Sequence, residues 1–338
     1  MSPPRRSPIR TLEVKLLDFF ASGPPVARLL VACSGGADSL TLLEALRRTR
    51  LPLHTVTIDH GLRPTSAAEC ERVLAFAAQH ALSAERIDLR LGKATPAAAR
   101  AARYAALIEA AGRASCDAVA VAHHADDQLE TLLDRLLRGS GLKSLAAMRP
   151  RRALAPGITL LRPLLDVTRA ELRAYAAAAK LDFVEDPTNQ DRRYRRTRLR
   201  DALTSERPDL ACVAVALTHR LAEDEAALQW ASQSLDPTDR LRLLEVPQAI
   251  RRRAVERLTG PLEARQLPQL DRLLTSETGT SRLDLTHDRA LVRTYDTLSL
   301  EHPATRTPQP ATRDSSSVDP RWRSWQPGDR IKLRGHTR

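Results

Sequence analysis

The chain is 338 residues long, 42 per cent hydrophobic, only 3 per cent aromatic, and carries a formal net charge of +12. That length supports roughly two domains at about 150 residues each, and no run approaches the roughly 20 apolar residues that cross a bilayer. Four cysteines, at 33, 70, 116 and 212, are too dispersed for a CxxC metal site and too few for a disulfide scaffold.

The cysteines read as reduced core residues of a cytoplasmic protein. No secretory leader is expected either, because Glu13, Lys15 and Asp18 interrupt the stretch after the arginine-bearing N-terminus. The positive field favours encounter with a polyanion such as nucleic acid, although an arginine-rich composition by itself gives the same sum.

Residues 1–24 read as an N-terminal extension and first helix. From there the pattern alternates. Ala27–Cys33 is an apolar strand run, followed by a Gly-Gly turn and a helix over Asp38–Arg48. Leu53–Asp59 is a second strand, rich in β-branched residues, and Ser66–Ala81 a helix whose Ser66 and Glu69 have capping-box spacing. Arg86–Leu91 is the third strand, Pro96–Ala114 a helix with proline in its first turn, and Ala118–Ala122 the fourth strand. This βα series predicts an α/β domain, a parallel sheet with helices on both faces. Ligands of such sheets bind beyond the carboxyl ends of the strands.

A helix over about Asp126–Arg138 then leads to Gly139-Ser140-Gly141 and a loop punctuated by Pro150, Pro156 and Pro163. Thr168–Lys180 is a helix with a second capping box, Thr168 and Glu171. Beyond a boundary near Pro208, residues 210–275 are helix-like, and Ser281–Glu301 alternates like a small β-meander. The domains are therefore expected at 25–208, a nucleotide-binding catalytic domain, and 209–301, a smaller mainly helical domain. Residues 302–338 read as a Pro/Thr/Ser-rich linker and a short C-terminal stub.

Chemistry-bearing residues cluster at the strand ends. Ser34-Gly35-Gly36-Ala37-Asp38-Ser39 joins the first strand to its helix. Paired glycines and a free helix N-terminus make an anion cradle. Asp38 would repel a phosphate unless a cation lay between them, which argues for Mg²⁺ bridging. The string is neither a Walker A loop nor GxGxxG. Ile58-Asp59-His60-Gly61-Leu62-Arg63 closes the second strand, where a lone Asp or His can also be a simple turn former. His123-His124-Ala125-Asp126-Asp127-Gln128-Leu129-Glu130 follows the fourth strand. On a helix, His123, Asp127 and Glu130 would share a face. These carboxylates could hold Mg²⁺, with Asp126 a candidate ligand, or a cationic substrate amine. A metallohydrolase with His and Asp ligands, or a plain acidic first turn, also fits. Arg192, Arg193, Tyr194, Arg196, Arg198 and Arg200 form a basic cluster whose tyrosine could stack on an unpaired base, or a solvated basic loop.

SGGADS after a first strand resembles the PP-loop ATP pyrophosphatases, and DHGLR resembles their second landmark. HHADDQLETLLDRLLRGSGLKSLAAM, LRPLLDVTRAELRAYA, EDPTN, YRRTRLR and AARAARY together resemble the ordered motifs of the tRNA(Ile)-lysidine synthase family. The resemblance is dense over about residues 25–205 and weaker beyond. It implies a ligase that adenylates C2 of the anticodon wobble cytidine of an isoleucine tRNA (CAU anticodon). Free L-lysine then replaces AMP, giving lysidine, AMP and pyrophosphate. ATP is the co-substrate, with Mg²⁺.

By the same resemblance Ser34–Ser39 and His60 bind ATP, Asp38, Asp127 and Glu130 are catalytic, and Asp127, Glu130, Arg100 and Arg103 bind lysine. Arg192, Arg193, Tyr194, Arg196 and Arg200 would contact tRNA. Another RNA base or nucleophile, or a catalytically weak tRNA-binding relative, is the alternative, and a homodimer is left open. Thr197 stands where the family has Asn, and Ser144 and Ala147 where it has glycines. Trp325–Arg330 resembles the start of the family's C-terminal tRNA-binding domain.

Overall fold

A computed structural model describes residues 7–61, 66–89, 92, 94–183, 207, 209–277, 279–286 and 288–302. Leu62, Arg63, Thr197, the basic cluster Arg192–Arg200 and the stretch from residue 303 lie outside the described residues. No described helix is long and apolar enough to cross a membrane.

The described residues fall into two compact units that divide between Ser234 and Leu235. The first begins with α1 (Pro8–Ala21), β1 (Leu29–Ala32), α2 (Ala37–Arg48), β2 (Leu53–Asp59), α3 (Ser66–Gln79) and β3 (Ser83–Asp88). It continues with α4 (Pro96–Arg113), β4 (Ala118–Ala120), α5 (Ala125–Leu137) and the one-turn α6 (Leu142–Leu145). The hairpin β5 (Arg151–Ala155) and β6 (Ile158–Leu161), α7 (Arg169–Ala178) and α8 (Leu210–Ser232) complete it.

Six strands form one sheet in the order β3-β2-β1-β4-β6-β5, parallel except for the β5–β6 pair. The central strands are covered on both faces, so β1 and β4 read as unbroken apolar runs. Period-two alternation sorts them. Leu29, Val31, Ala118, Ala120 and Leu161 enter a core with α1, α2, α3 and α7. Leu30, Val119, Val121 and Leu160 enter another beneath α4, with Tyr104 and Leu107.

Besides α6, four helices end on a left-handed residue that is not glycine: Arg50, Ala81, Ser115 and Lys180. After three of them an apolar residue turns back: Leu82 to the Ala77 carbonyl (2.9 Å), Cys116 to Ala111 (2.8 Å) and Leu181 to Ala176 (3.0 Å). These are Schellman closures without their usual glycine. The turn at Ala81 also lets the third strand start at Ser83, three residues before the expected Arg86.

The hairpin is the element the sequence hides. Prolines 150, 156 and 163 suggest a loop, whereas Pro156-Gly157, with Gly157 at φ +74°, turns β5 back onto β6. β5 is an edge strand, where proline is tolerated.

Long α8 packs on α5 through Ala125, Ala211 and Val215, and again through Leu129, Leu132 and Ala214. It therefore belongs to the first unit, and the compact division falls after residue 234 rather than near the expected Pro208. Gln128, buried between these helices, accepts from the Met148 amide (2.9 Å) and donates to the Met148 carbonyl (2.8 Å) and Thr218 (3.3 Å). It fixes the loop that follows α5.

The second unit holds α9 (Arg240–Leu244), α10 (Gln248–Thr259), a 3₁₀ turn (Ala264–Gln266) and α11 (Leu267–Thr275). An antiparallel meander follows, β7 (Thr280–Asp284), β8 (Ala290–Thr294) and β9 (Thr297–Glu301). Leu243, Val255, Leu270, Leu274, Leu283, Leu291 and Leu298 form its core.

Ala147 accounts for one of the family's missing glycines. Its φ is +52°, a region that costs an L-residue about 1–2 kcal/mol. Ala147→Gly relieves that strain and loses part of the gain to unfolded-chain entropy. We expect a net stabilisation of up to about 1 kcal/mol, read as a raised urea midpoint with an unchanged m-value.

Candidate functional site

The strand order reverses between β1 and β4: the chain steps outward from β1 to β3, then returns to pair β4 on the other side of β1. Loops leaving adjacent strands there part to opposite faces and open a crevice at the carboxyl edge. The β1 end carries Ser34–Ser39 and the β4 end carries His123–Glu130.

The first loop is held by its own hydroxyls. Ser39 Oγ accepts from the Ser34 amide (3.1 Å), donates to the Gly36 carbonyl (3.0 Å) and lies 3.2 Å from Ser34 Oγ. Gly35 has φ +82°, and a Cβ there would stand 3.1 Å from the Glu69 carbonyl oxygen on α3. Gly36 caps α2, and Ala37, Asp38 and Ser39 form its first turn, where amides lack intrahelical acceptors. The arrangement is a backbone anion cradle.

Its neighbour is built on Asp59. One Asp59 oxygen accepts from the Gly61 amide (2.8 Å) and the Ser66 hydroxyl, the other from Arg86 (2.8 Å). Ser66 and Gly61 hold the Asp59 carboxyl below its ordinary range. Asp59 thus clamps the start of α3 to the β2 end, and α3 in turn backs Gly35. His60 follows directly on that strand end.

Across the crevice the helix starts at Ala125, with His124 as an extended N-cap. His123 lies before the helix, so it does not share the helical face of Asp127 and Glu130 that the i, i+4, i+7 spacing predicts. His124 is 1 per cent exposed. Its Nε2 stands 3.5 Å from Asp38 Oδ2 and 3.7 Å from Asp127 Oδ2, and its Nδ1 stands 3.5 Å from Asp126 Oδ2. Burial opposes its charge, but these carboxylates prevail and raise the imidazole to about 10.

Burial pushes Asp38 up, yet ion pairing with His124 and the charges of Arg169 and Arg173 bring it below its usual range. Its Oδ1 is buried without a hydrogen-bond partner. Asp126 accepts the Arg169 amide at the start of α7 (2.8 Å) and is likewise brought down, against burial, to about 2. Its contacts are thus with the cap of its own helix and with the start of α7. Asp127 Oδ2 accepts the His124 amide (2.9 Å), and half-buried Glu130 follows one turn later.

Among the described residues, no three His, Cys, Asp or Glu side chains are grouped to hold a metal. Asp38, with an orphaned buried oxygen beside the phosphate cradle, fits a cation that brings its other ligands with it, as Mg²⁺ does on a nucleotide.

His123 faces a different environment. Arg100 and Arg103 lie 5.2 and 5.6 Å from the Tyr104 ring centroid, and Arg152 lies 5.7 Å from it. Buried Arg162 donates to the Arg149 carbonyl (2.7 Å). Burial, then Arg162, Arg103 and Arg100, push the His123 imidazole down to about 3. Arg152 lies outside every motif of the sequence, and Arg162, although it opens the LRPLLDVTRAELRAYA string, carries no sign there that it meets the α4 arginines. The available signal was an arginine closing the apolar run Ile158–Leu161.

A PP-loop domain family model matches residues 8–207. The tRNA(Ile)-lysidine synthase of Novosphingobium aromaticivorans is 44 per cent identical over 217 residues, covering 62 per cent of this chain and 66 per cent of that protein. That of Bradyrhizobium diazoefficiens is 42 per cent identical over 254 residues, covering 72 and 69 per cent. That of Thermobifida fusca is 39 per cent identical over 314 residues, covering 84 and 93 per cent. The U34-tRNA thiolase NcsA from Methanococcus maripaludis superposes with a TM-score of 0.55 at 17 per cent identity, covering 64 per cent of this chain and 79 per cent of that one. The last is a likeness of fold alone.

Two outcomes follow from this geometry. Gly35→Ala must place a methyl group at positive φ against a backbone carbonyl, at a cost of about 1–2 kcal/mol. ATP affinity should fall on the order of tenfold, checked by calorimetric titration.

The second concerns pH. His124 is raised in the fold, so its stabilisation is complete below pH 6.5 and is lost as pH rises towards about 10. His123 is depressed, so the unfolded chain takes a proton first and stability falls as pH drops from 6.5 towards about 3. Denaturant midpoints against pH should peak near 6.5. His124→Gln should flatten the alkaline limb and His123→Gln the acid limb.

Proposed function

The chain belongs to the tRNA(Ile)-lysidine synthases of the PP-loop family, and on that premise we propose that it ligates lysine to C2 of the wobble cytidine in a CAU-anticodon isoleucine tRNA. The observation that carries this reading is the union at one crevice of a phosphate cradle and an acidic helix start, joined through the Asp38–His124–Asp127 contacts.

ATP would lie with its phosphates over Ser34–Ser39, beside His60. The C2 carbonyl oxygen of cytidine attacks the α-phosphorus: an O–P bond forms, the bond to the β-phosphate breaks, and pyrophosphate leaves. The ε-amine of lysine then attacks C2, and the C2–O bond breaks with its oxygen departing on AMP. Mg²⁺ bound with the nucleotide would neutralise phosphate charge, held on the protein side by Asp38.

The protein's own residues supply orientation and charge. The cradle donates amides to the phosphates, a preorganised arrangement that costs no reorganisation at the moment of reaction. Asp127 and Glu130 pair with the cationic amine and accept its proton as it becomes nucleophilic. Arg100 or Arg103 holds the α-carboxylate. His124 holds the Asp38 carboxyl below its usual range and stands beside Asp127 at 3.7 Å. The basic cluster Arg192, Arg193, Tyr194, Arg196 and Arg200 would contact the RNA.

The test is pyrophosphate release from ATP by the purified protein with lysine and CAU-anticodon tRNA(Ile). Release should require both substrates and fall on the order of 10²-fold or more in Asp38→Ala. Asp127→Asn and Glu130→Gln should chiefly raise the KM for lysine and leave that for ATP near its starting value. Turnover that needs tRNA but ignores lysine would overturn the nucleophile; tRNA binding without turnover would overturn the enzyme.

A further inference from the structure

Some arginines of the first unit have an acidic partner: Arg47 and Arg48 pair with Glu44, Arg86 with Asp59, Arg113 with Glu85, and Arg138 with Asp134. Arg100, Arg103, Arg152 and Arg162 are among those without one. Among the described residues none of the four has a carboxylate within ion-pair distance. They converge all the same. Three guanidiniums share the Tyr104 ring at 5.2–5.7 Å, and Arg100 also donates to the Tyr104 hydroxyl (3.2 Å). Arg162, 4 per cent exposed, and half-buried Arg103 each keep a buried Nε without a partner.

Strand alternation explains the assembly. On β5, Arg151 points to the α1 face, where it stacks on Phe19 at 4.2 Å, and Arg152 points to the α4 face. Like charges brought together without counter-charge repel, so such a group is favoured only where an anion completes it. The members are graded in depth, from buried Arg162 through Arg103 to exposed Arg152 and Arg100. A single amino-acid carboxylate takes one bidentate guanidinium and leaves the rest uncompensated. A chain of phosphates running inward from the surface would meet them in turn.

We propose that Arg152 and Arg162, supplied by the β5–β6 hairpin, form a subsite for backbone phosphates of the RNA substrate together with whichever α4 arginine, Arg100 or Arg103, does not hold the lysine carboxylate. The proposal rests on the reading that the substrate is RNA, and its test needs no catalysis. Tyr104 serves as the rigid mount that splays the guanidiniums, and His123, neutral beside them, adds no competing charge. Contacts to phosphate position an RNA without reading its sequence, so this subsite would set where the wobble base enters the crevice.

The experiment uses the full chain and a CAU-anticodon tRNA(Ile) transcript. Its affinity is measured by fluorescence anisotropy over a range of KCl concentrations, for the wild type, Arg152→Gln and Arg152→Lys. Arg152 is exposed, so its replacement spares the fold. In Arg152→Gln the slope of log K against log[KCl] should shrink by about 0.7–0.9 for the lost phosphate contact. Affinity near 0.1 M salt should fall about three- to tenfold, and Arg152→Lys should restore most of both.

The KM values for lysine and ATP should not change. An unaltered slope and affinity in Arg152→Gln, or a raised lysine KM with normal tRNA binding, overturns the subsite. Wild-type RNA binding with the arginine-dependent slope but no lysine-dependent pyrophosphate release removes the proposed reaction and leaves the subsite standing. Wild-type turnover with an unchanged slope in the variant removes the subsite alone.

Discussion

A buried imidazolium between Asp38, Asp126 and Asp127 is the interaction on which the crevice depends. Three carboxylates this close would repel one another and draw apart, or take up protons, without a cation among them. His124 supplies that cation from the cap of α5. It thereby ties the β1 loop to the β4 loop across the switch point, and Asp126 carries the tie on to the Arg169 amide at the start of α7. Removing one partner from such a buried group costs far more than the pair's net worth, because the remaining charges are left uncompensated.

The rest of the first unit can be read as support for that crossing. Asp59 locks α3 to the second strand end, and α3 presses its Glu69 carbonyl towards Gly35. The cradle therefore has a fixed back wall. On the other side, Gln128 pins the loop after α5, and α8 lies along α5 through alanine and valine contacts. Neighbouring histidines end in opposite states for reasons that lie outside the local chain. His124 meets carboxylates from two loops, whereas His123 meets arginines from α4 and the β6 end. Their charges divide the crevice into an acidic and a basic flank within a single peptide bond.

Much of this was legible from residue order. Gly35-Gly36 after an apolar run marks the cradle because only a residue without a side chain tolerates both the turn and the nearby carbonyl. The βα alternation through Ala120 follows from short strand runs, apolar in β1 and β4, separated by helical spacing. What stayed hidden depended on contacts between distant segments. Prolines 150, 156 and 163 masked an edge hairpin that accepts them, and with it the arginine group around Tyr104. Helix ends at Arg50, Ala81, Ser115 and Lys180 lack the glycine that normally marks a left-handed turn, so the third strand was displaced. His123 was placed on the α5 face by a spacing that holds only inside a helix, and the helix begins two residues later.

The position of α8 bears on how this chain can be divided. The family pattern stops at residue 207, but the packed unit continues to Ser234. Without α8, the faces of Ala125, Leu129 and Leu132 would meet water, at the same helix whose first turn holds Asp126 and Asp127. The segment matched by the PP-loop domain pattern and the segment that packs as one unit are thus of unequal length. A helix beyond the PP-loop domain pattern acts as the keel of the part that the pattern covers.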